Sequence, residues 1–271
     1  MADKKLRIGK IPYANLFPIF YMLENECDCS GYEFVEGVPS ALNKMLRTGE
    51  VDVSPSSSIE YLRHSDEYAI VENHSISSIG PVGSIILLSR KPIEELNGLP
   101  VLTSSQSETS VALLDIIFKK FYGIRCSLKS VDIGYQLSAI SYQLSEAYLL
   151  IGDDALKAVK SKRAKVAYIY DLGELWHKYT GLPFTYALWI YKKDCCKKKA
   201  ELLERFKNDL NRSKKRALEN FKMIASESPL KGILTENELI SYWENISYDF
   251  RNEHRKGFEL FRKYSEELGL I

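Results

Sequence analysis

The chain has 271 residues, of which 45% are hydrophobic and 27% charged, and its 37 Lys+Arg against 36 Asp+Glu leave a formal net charge of +1. At roughly 150 residues per domain this is about two domains or one two-lobed unit, with the composition of an ordinary globular protein. The charge balance speaks against a nucleic-acid partner, and no apolar run reaches the ~20 residues of a membrane span.

The opening Met1-Ala2-Asp3-Lys4-Lys5 has neither an apolar core nor a small-residue cleavage site, so no secretory signal is expected. Lys5–Ile11 reads as a strand, and Pro12-Tyr13-Ala14-Asn15 leads into a helix over Phe17–Glu24. Pro39–Arg47 is helical, with Leu42, Met45 and Leu46 on one face and Gly49 as its stop signal. Val51-Asp52-Val53 is a short strand, followed by a Ser-capped helix over Ser56–His64. Ser84–Ser89 is a continuous apolar run of the fully buried kind.

Lys91–Gly98 forms a helical turn ended by glycine, and the unit then repeats in kind. Pro100–Ser104 is a strand, and Glu108–Tyr122 is a helix with Val111, Leu114, Ile117, Phe118 and Phe121 inward and Gly123 as C-cap. Ala147–Ile151 is a strand that runs through Gly152-Asp153-Asp154 into a helix over Ala155–Lys160, and Phe184–Tyr191 is again a strand. Strands alternating with helices imply parallel sheets flanked by helices. From Lys192 to Lys222 there are twelve Lys/Arg and five Asp/Glu, a local net of +7. Leu203, Phe206, Leu210, Ala217, Phe221 and Ile224 recur there at helical spacing, so this stretch reads as one long amphipathic helix with a solvated basic face. Glu236–Trp243 and Arg255–Leu268 complete a helical end.

The strands at Ser84–Ser89 and Phe184–Tyr191 bracket a middle unit of ordinary domain size. The expected organisation is two α/β lobes joined by these two crossover strands. Lobe I comprises residues 1–88 plus 190–271, lobe II residues 89–189, and the ligand cleft lies between them, near the carboxyl ends of strands. The five cysteines (the close pairs Cys27/Cys29 and Cys195/Cys196, and Cys126) lack the spacing of a zinc or redox motif, and only four His accompany them. Reduced thiols, a cytoplasmic location and no metal or other cofactor are therefore expected.

The polar loops at strand ends share one design, placing small hydroxyl or amide groups where a helix begins. Asn15 follows the first strand, Ser56, Ser57 and Ser58 precede another helix, and Thr103, Ser104, Ser107, Thr109 and Ser110 line the strand-to-helix turn of the middle unit. N-capping explains any single hydroxyl, but one helix needs one cap, so the arrays point to carboxylate-sized sites on both lobes. Two such sites suit a small ligand with two carboxylates. Ser84 is either a strand-start hydroxyl or a group that reaches the cleft. Of the pair after Gly152, Asp154 suits capping, while Asp153 is open to substrate binding or base chemistry. No nucleophile elbow, phosphate loop or dinucleotide fingerprint is present. His64, His74, His177 and His254 lie outside the strand-end loops. The residues alone reach a two-lobed α/β protein for a small dianionic ligand, without separating an enzyme from a receptor.

Several segments resemble a bacterial menaquinone-biosynthesis family. They are Lys10-Ile11-Pro12-Tyr13-Ala14-Asn15-Leu16-Phe17-Pro18, Gly49-Glu50-Val51-Asp52-Val53-Ser54-Pro55-Ser56-Ser57-Ser58-Ile59-Glu60-Tyr61 and Ser75-Ile76-Ser77-Ser78-Ile79-Gly80-Pro81-Val82-Gly83-Ser84. To these the middle unit adds Leu150-Ile151-Gly152-Asp153-Asp154-Ala155-Leu156, Asp171-Leu172-Gly173-Glu174-Leu175-Trp176 and Thr180-Gly181-Leu182-Pro183-Phe184. Nearly the whole chain is similar to the chorismate dehydratases of the futalosine route.

The resemblance implies a bilobal type II periplasmic-binding-protein-like fold used by a cytoplasmic, cofactor-free lyase, a monomer or homodimer. Its partner would be chorismate, with neither nucleic acid nor membrane, and the product 3-[(1-carboxyvinyl)oxy]benzoate. By the same likeness Asn15 and Ser84 position the substrate and support proton transfer. Tyr13, Gly152 and the two hydroxyl arrays bind it, and Asp153 is a competing base. Other readings stay open: a 1,4-dihydroxy-6-naphthoate synthase, which relies on a second-lobe His; a solute-binding protein for a small dicarboxylate; and a ligand-sensing regulatory module.

Overall fold

The computed structural model describes residues 5–131, 145–161, 166–195 and 199–271. The chain divides into two compact units, Met1–Ile76 with Ala187–Glu244, and Ser77–Tyr186 with Asn245–Ile271.

The first unit is built around strands β1 (Leu6–Lys10), β2 (Tyr32–Glu36), β3 (Val53–Ser57), most of β4 (Tyr68–Ser78) and most of β10 (Phe184–Lys192). β1 and β2 are parallel with Leu6 opposite Tyr32, and β3 joins β1 at Ile8↔Val53. Helices α1 (Phe17–Glu26), α2 (Pro39–Thr48) and α3 (Ser58–Arg63) follow the first three strands in turn, and Gly49, at φ 78°, closes α2 as the sequence suggests. Asp52 ties β1 to the turn before β3, accepting from the Arg7 amide at 2.8 Å and from its guanidinium, and pairing with Lys199 at 2.7 Å.

The basic stretch forms α7 (Ala200–Glu219), then a break and α8 (Phe221–Ala225), with α9 (Glu236–Glu244) beyond. Residues 196–198 of that stretch lie outside the described residues. Leu203, Phe206, Leu210 and Ala217 are buried, and α7 packs on α1. Its outer face carries ion pairs such as Arg216–Glu26 at 2.9 Å and Arg205–Asp28 at 2.8 Å.

The second unit holds a sheet in the order β7 (Ser127–Val131), β6 (Pro100–Ser104), β8 (Ala147–Ile151), β5 (Ile85–Ser89), β9 (Tyr168–Asp171). Ile86, Leu88 and Leu150 meet Ala155 and Ala158 of α5 (Gly152–Ser161) in its core. α4 (Glu108–Ile116) runs on as a wider π-helical turn over Ile117–Tyr122, so the expected single helix changes pitch before Gly123 ends it at φ 66°. α6 (Leu172–Thr180) carries the buried Trp176, whose indole donates to the Pro183 carbonyl at 3.2 Å. β11 (Ile246–Ser247) pairs with the end of β4, and α10 (Asn252–Glu267) closes the chain. Among the described residues no helix is long and apolar enough to cross a membrane.

One expectation needs correction. The sheets are mixed rather than parallel: β10 runs antiparallel to β3, and β5 antiparallel to both β8 and β9. A continuous apolar run reports burial on both faces of a strand and says nothing about its direction. The strands whose residues fall in both units are β4 and β10, whereas Ile85–Ser89 lies wholly in the second unit.

Candidate functional site

In the first unit, β1 and β3 end at the same edge of the sheet because both run parallel, and antiparallel β10 begins there, Ala187 lying opposite Ser57. The loop after β1 therefore shares this edge with the serine run. Tyr13 and Asn15 are half-buried in a tight turn, with the Tyr13 carbonyl accepting from the Leu16 amide at 3.1 Å. Behind the turn, the buried Trp243 indole donates to the Ala14 carbonyl at 2.8 Å. The cap position of α1 is Leu16, without a side-chain cap, so the Asn15 amide is not used for capping.

The serine run is buried throughout. The helix expected from Ser56 begins at Ser58, so Ser56 and Ser57 are strand residues. Residue 57 is where capping and binding meet. Its Oγ accepts from the Glu60 amide at 3.3 Å, as N-cap of α3, and from the Asn43 side-chain amide at 3.1 Å. With two donors occupying its acceptor sites, the hydroxyl proton is left to donate. Ser56 Oγ is fully buried with no hydrogen-bond partner among the described residues. Gly9 allows this packing, since a Cβ there would lie 2.4 Å from Ser54 Oγ.

In the second unit, the parallel strands β6 and β8 end at one edge, antiparallel β5 begins there, and β9 ends there with Asp171 opposite Ile86. Thr103, Ser104, Ser107, Thr109, Ser110, Ser84, Gly152 and Asp153 are thus gathered along a single sheet edge. Ser107 Oγ caps α4, accepting from the Ser110 amide at 3.3 Å, and lies 2.9 Å from Ser110 Oγ. Ser104 Oγ accepts from the Gln106 amide at 3.2 Å, and Thr103, Thr109 and Ser110 are buried. Helix capping thus accounts for one hydroxyl in each array, Ser57 at α3 and Ser107 at α4.

Ser84 is buried, and its carbonyl accepts from the Gly152 amide at 2.7 Å, which brings the loop before β5 against the turn that carries Asp153. Gly152 adopts φ 56° and begins α5, so Asp153 and Asp154 both lie in the first helical turn. Asp154 is therefore not the residue preceding the helix, as a cap requires; its charge there complements the helix dipole.

Two further residues, Asn43 and Asp171, hydrogen-bond to these loops. Asn43, on the inward face of α2, is 4% exposed and orients Ser57. Asp171 was visible only as part of a motif. Its carboxylate accepts from the Val82, Gly83, Gly173 and Glu174 amides at 3.0, 2.6, 2.8 and 3.1 Å. Burial pushes its pKa up, and the four N–H groups oppose that shift. An Asp ahead of an apolar helix is a readable cap signal, but its loop partners are far away in sequence.

His74 Nε2 lies 2.9 Å from Asn211 Oδ1, His177 Nδ1 3.3 Å from the Leu182 carbonyl and His254 Nε2 2.9 Å from Ser247 Oγ. No three His, Cys, Asp or Glu converge as metal ligands among the described residues.

The profile of a family described as menaquinone biosynthesis matches residues 6–267. The chain is 28% identical to a chorismate dehydratase of Thermus thermophilus over 97% of its own length and 95% of that protein. It is 30% identical to a chorismate dehydratase of Campylobacter jejuni over 73% of its own length and 72% of that one. Among solved structures, an Archaeoglobus fulgidus protein superposes with a TM-score of 0.79 at 18% identity, covering 100% of both chains. The periplasmic aliphatic sulphonate binding protein of Escherichia coli follows with a TM-score of 0.67 at 13% identity, covering 100% of this chain and 89% of its own. The architecture is accordingly periplasmic-binding-protein-like, and the chain belongs to the menaquinone-biosynthesis family that includes the chorismate dehydratases.

Proposed function

We propose that the protein is a chorismate dehydratase, a hydro-lyase of the futalosine route that converts chorismate to 3-[(1-carboxyvinyl)oxy]benzoate and water without a cofactor. The observation that carries this reading is the similarity to relatives bearing that name, over 97% of the chain for one and 73% for the other. The chemistry of the two sheet edges agrees with it. Each offers buried hydroxyls at strand ends, donors suited to one of the two carboxylates that chorismate carries.

The ring proton at C3 is acidified because the carbanion formed on its loss is conjugated through the ring alkene with the ring carboxylate. Donors on that carboxylate stabilise the developing dienolate. The electron pair then forms the C3–C4 double bond, the C4 hydroxyl leaves, and aromaticity makes the step strongly downhill. The enolpyruvyl carboxylate of the substrate takes the C3 proton and returns it to the departing hydroxyl, so that water is released. Asn15 and Ser84 fix that geometry. Tyr13, Ser56, Ser57, Ser58, Thr103, Ser104, Ser107, Thr109, Ser110 and Gly152 hold the substrate. Asp153 is the competing base. A cytoplasmic location fits a biosynthetic enzyme whose Cys27, Cys29, Cys126 and Cys195 are free thiols.

The test is to incubate the purified protein with chorismate alone and follow the aromatic enol ether by absorbance and mass spectrometry. Conversion is the expected result. No conversion, with tight binding of another solute, would instead support a receptor. Asp153→Asn is expected to retain turnover; if it abolishes turnover while chorismate still binds, the proton goes to Asp153.

A further inference from the structure

The loop leading to Ser84 contains Gly80 at φ 88° and Gly83 at φ 75°, and Ile79 beside it is 61% exposed. Two glycines in four residues give such a segment wide conformational freedom, yet a group that positions substrate must be held to within a fraction of an ångström. Something has to supply that rigidity, and the hydrogen bonds identify it. Oδ2 of Asp171 accepts from the Val82 and Gly83 amides at 3.0 and 2.6 Å, the latter belonging to the residue immediately before Ser84. Its Oδ1 is engaged separately, as N-cap of α6, by Gly173 and Glu174. The far side of Ser84 is fixed by its carbonyl bond to Gly152.

We propose that Asp171 is a positioning residue for the dehydration, its carboxylate clamping the Gly80–Ser84 loop onto the start of α6 so that the Ser84 hydroxyl is held in its working place. This rests on the assignment of Ser84 to the reaction. The two oxygens divide the labour, one capping a helix and one holding a loop, so the two roles can be separated by substitution.

Asp171→Ser keeps a hydroxyl able to cap α6 but too short to reach Val82 and Gly83. Asp171→Asn keeps the shape but sets an amide N–H against the loop donors if its oxygen stays on the cap. For both, with chorismate as substrate, kcat is expected to fall about 10²-fold, the cost of a misplacement near 1 Å, while KM changes little. Asp171→Ser should still fold cooperatively, with a lowered melting temperature because the Val82 and Gly83 amides lose their acceptor. The Val82 and Gly83 amides should exchange faster with solvent in either variant, a readout independent of turnover. Adding Asp171→Ser to Ser84→Ala should cost nothing further, because the clamp acts through Ser84. Unchanged kcat in a folded Asp171→Ser protein, or losses that multiply in the double variant, would overturn the inference while leaving the proposed function standing. If the unaltered protein fails to convert chorismate, the functional reading falls and this inference falls with it.

Discussion

The hydroxyl of Ser57 offers a sharp test of how the first unit meets an anion. Its Oγ receives hydrogen bonds from the Asn43 side-chain amide and from the Glu60 amide, so its proton is available to a substrate carboxylate. Ser57→Ala removes the helix cap, at about 1 kcal/mol, and orphans the buried Asn43 amide, at about 1–3 kcal/mol. The expected loss of stability is about 2–4 kcal/mol from these two principles, tolerable for a domain holding roughly 5–15 kcal/mol. The lost bond to a charged acceptor is worth about 1.5–3 kcal/mol, which predicts a rise of about 10- to 150-fold in KM for chorismate. Asn43→Asp tests the polarity directly. An ionised carboxylate cannot donate to Ser57, so the hydroxyl turns inward and KM rises at neutral pH. Acidification protonates the introduced carboxyl, restores a donor and lowers KM again. Steady-state kinetics across pH, with circular dichroism as a folding control, reads both variants. A folded Ser57→Ala protein with unchanged KM, or an Asn43→Asp variant that follows the unaltered pH profile, would refute the reasoning.

Burial by itself would push the Asp52 carboxyl up, but hydrogen bonds from Arg7 and Lys199 outweigh it and hold the pKa below the ordinary 3.8. A depressed carboxylate contributes stability that is present above pH 3.8 and is lost as pH falls through the folded value. Denaturation midpoints of Asp52→Asn and the unaltered protein should therefore differ most at neutral pH and converge below pH 3.8, and a constant gap would contradict the assignment. Gly173→Ala would place a Cβ 2.4 Å from Tyr186 OH, 2.5 Å from the Gly80 carbonyl and 2.8 Å from Ser78 Oγ. Since the carbonyl belongs to the backbone, the substitution is expected to cost about 1–3 kcal/mol, and an unaltered melting temperature would show that the loop gives way freely.

What the sequence revealed and what it hid follow from the forces involved. Ile85–Ser89, Ala147–Ile151 and Phe184–Lys192 were readable because they are apolar runs buried along most of their length. β4 escaped notice because its buried end is Ser75, Ser77 and Ser78. These serines are satisfied by partners such as Thr185 for Ser77 and Tyr186 for Ser78, which hydropathy does not register. β7 and β9 were missed for a different reason, since both are edge strands with several exposed residues and little patterning. The hydroxyl arrays were legible as more than caps, and one hydroxyl in each does cap its helix. Asn43 looked like an ordinary polar residue on a helix. The clamp of Asp171 was invisible because Val82 and Gly83 lie 89 and 88 residues away, a pairing that only the β5–β9 register creates.

On the proposed reading, the composition of the candidate set itself bears on mechanism. It consists of hydroxyls, an amide, backbone N–H groups and one carboxylate, with no cationic side chain. An Arg beside the enolpyruvyl carboxylate would bind it more tightly but would also depress its pKa, making it a poorer base. Neutral donors hold the same group with less loss of basicity, at the expense of affinity. Conjugation of the C3 carbanion with the ring carboxylate lowers the demand on that base, so orientation by Asn15 and Ser84 is the larger requirement. This places the decisive measurement at Asp153, because lost turnover in Asp153→Asn with chorismate still bound would move the proton from the substrate's own carboxylate to Asp153.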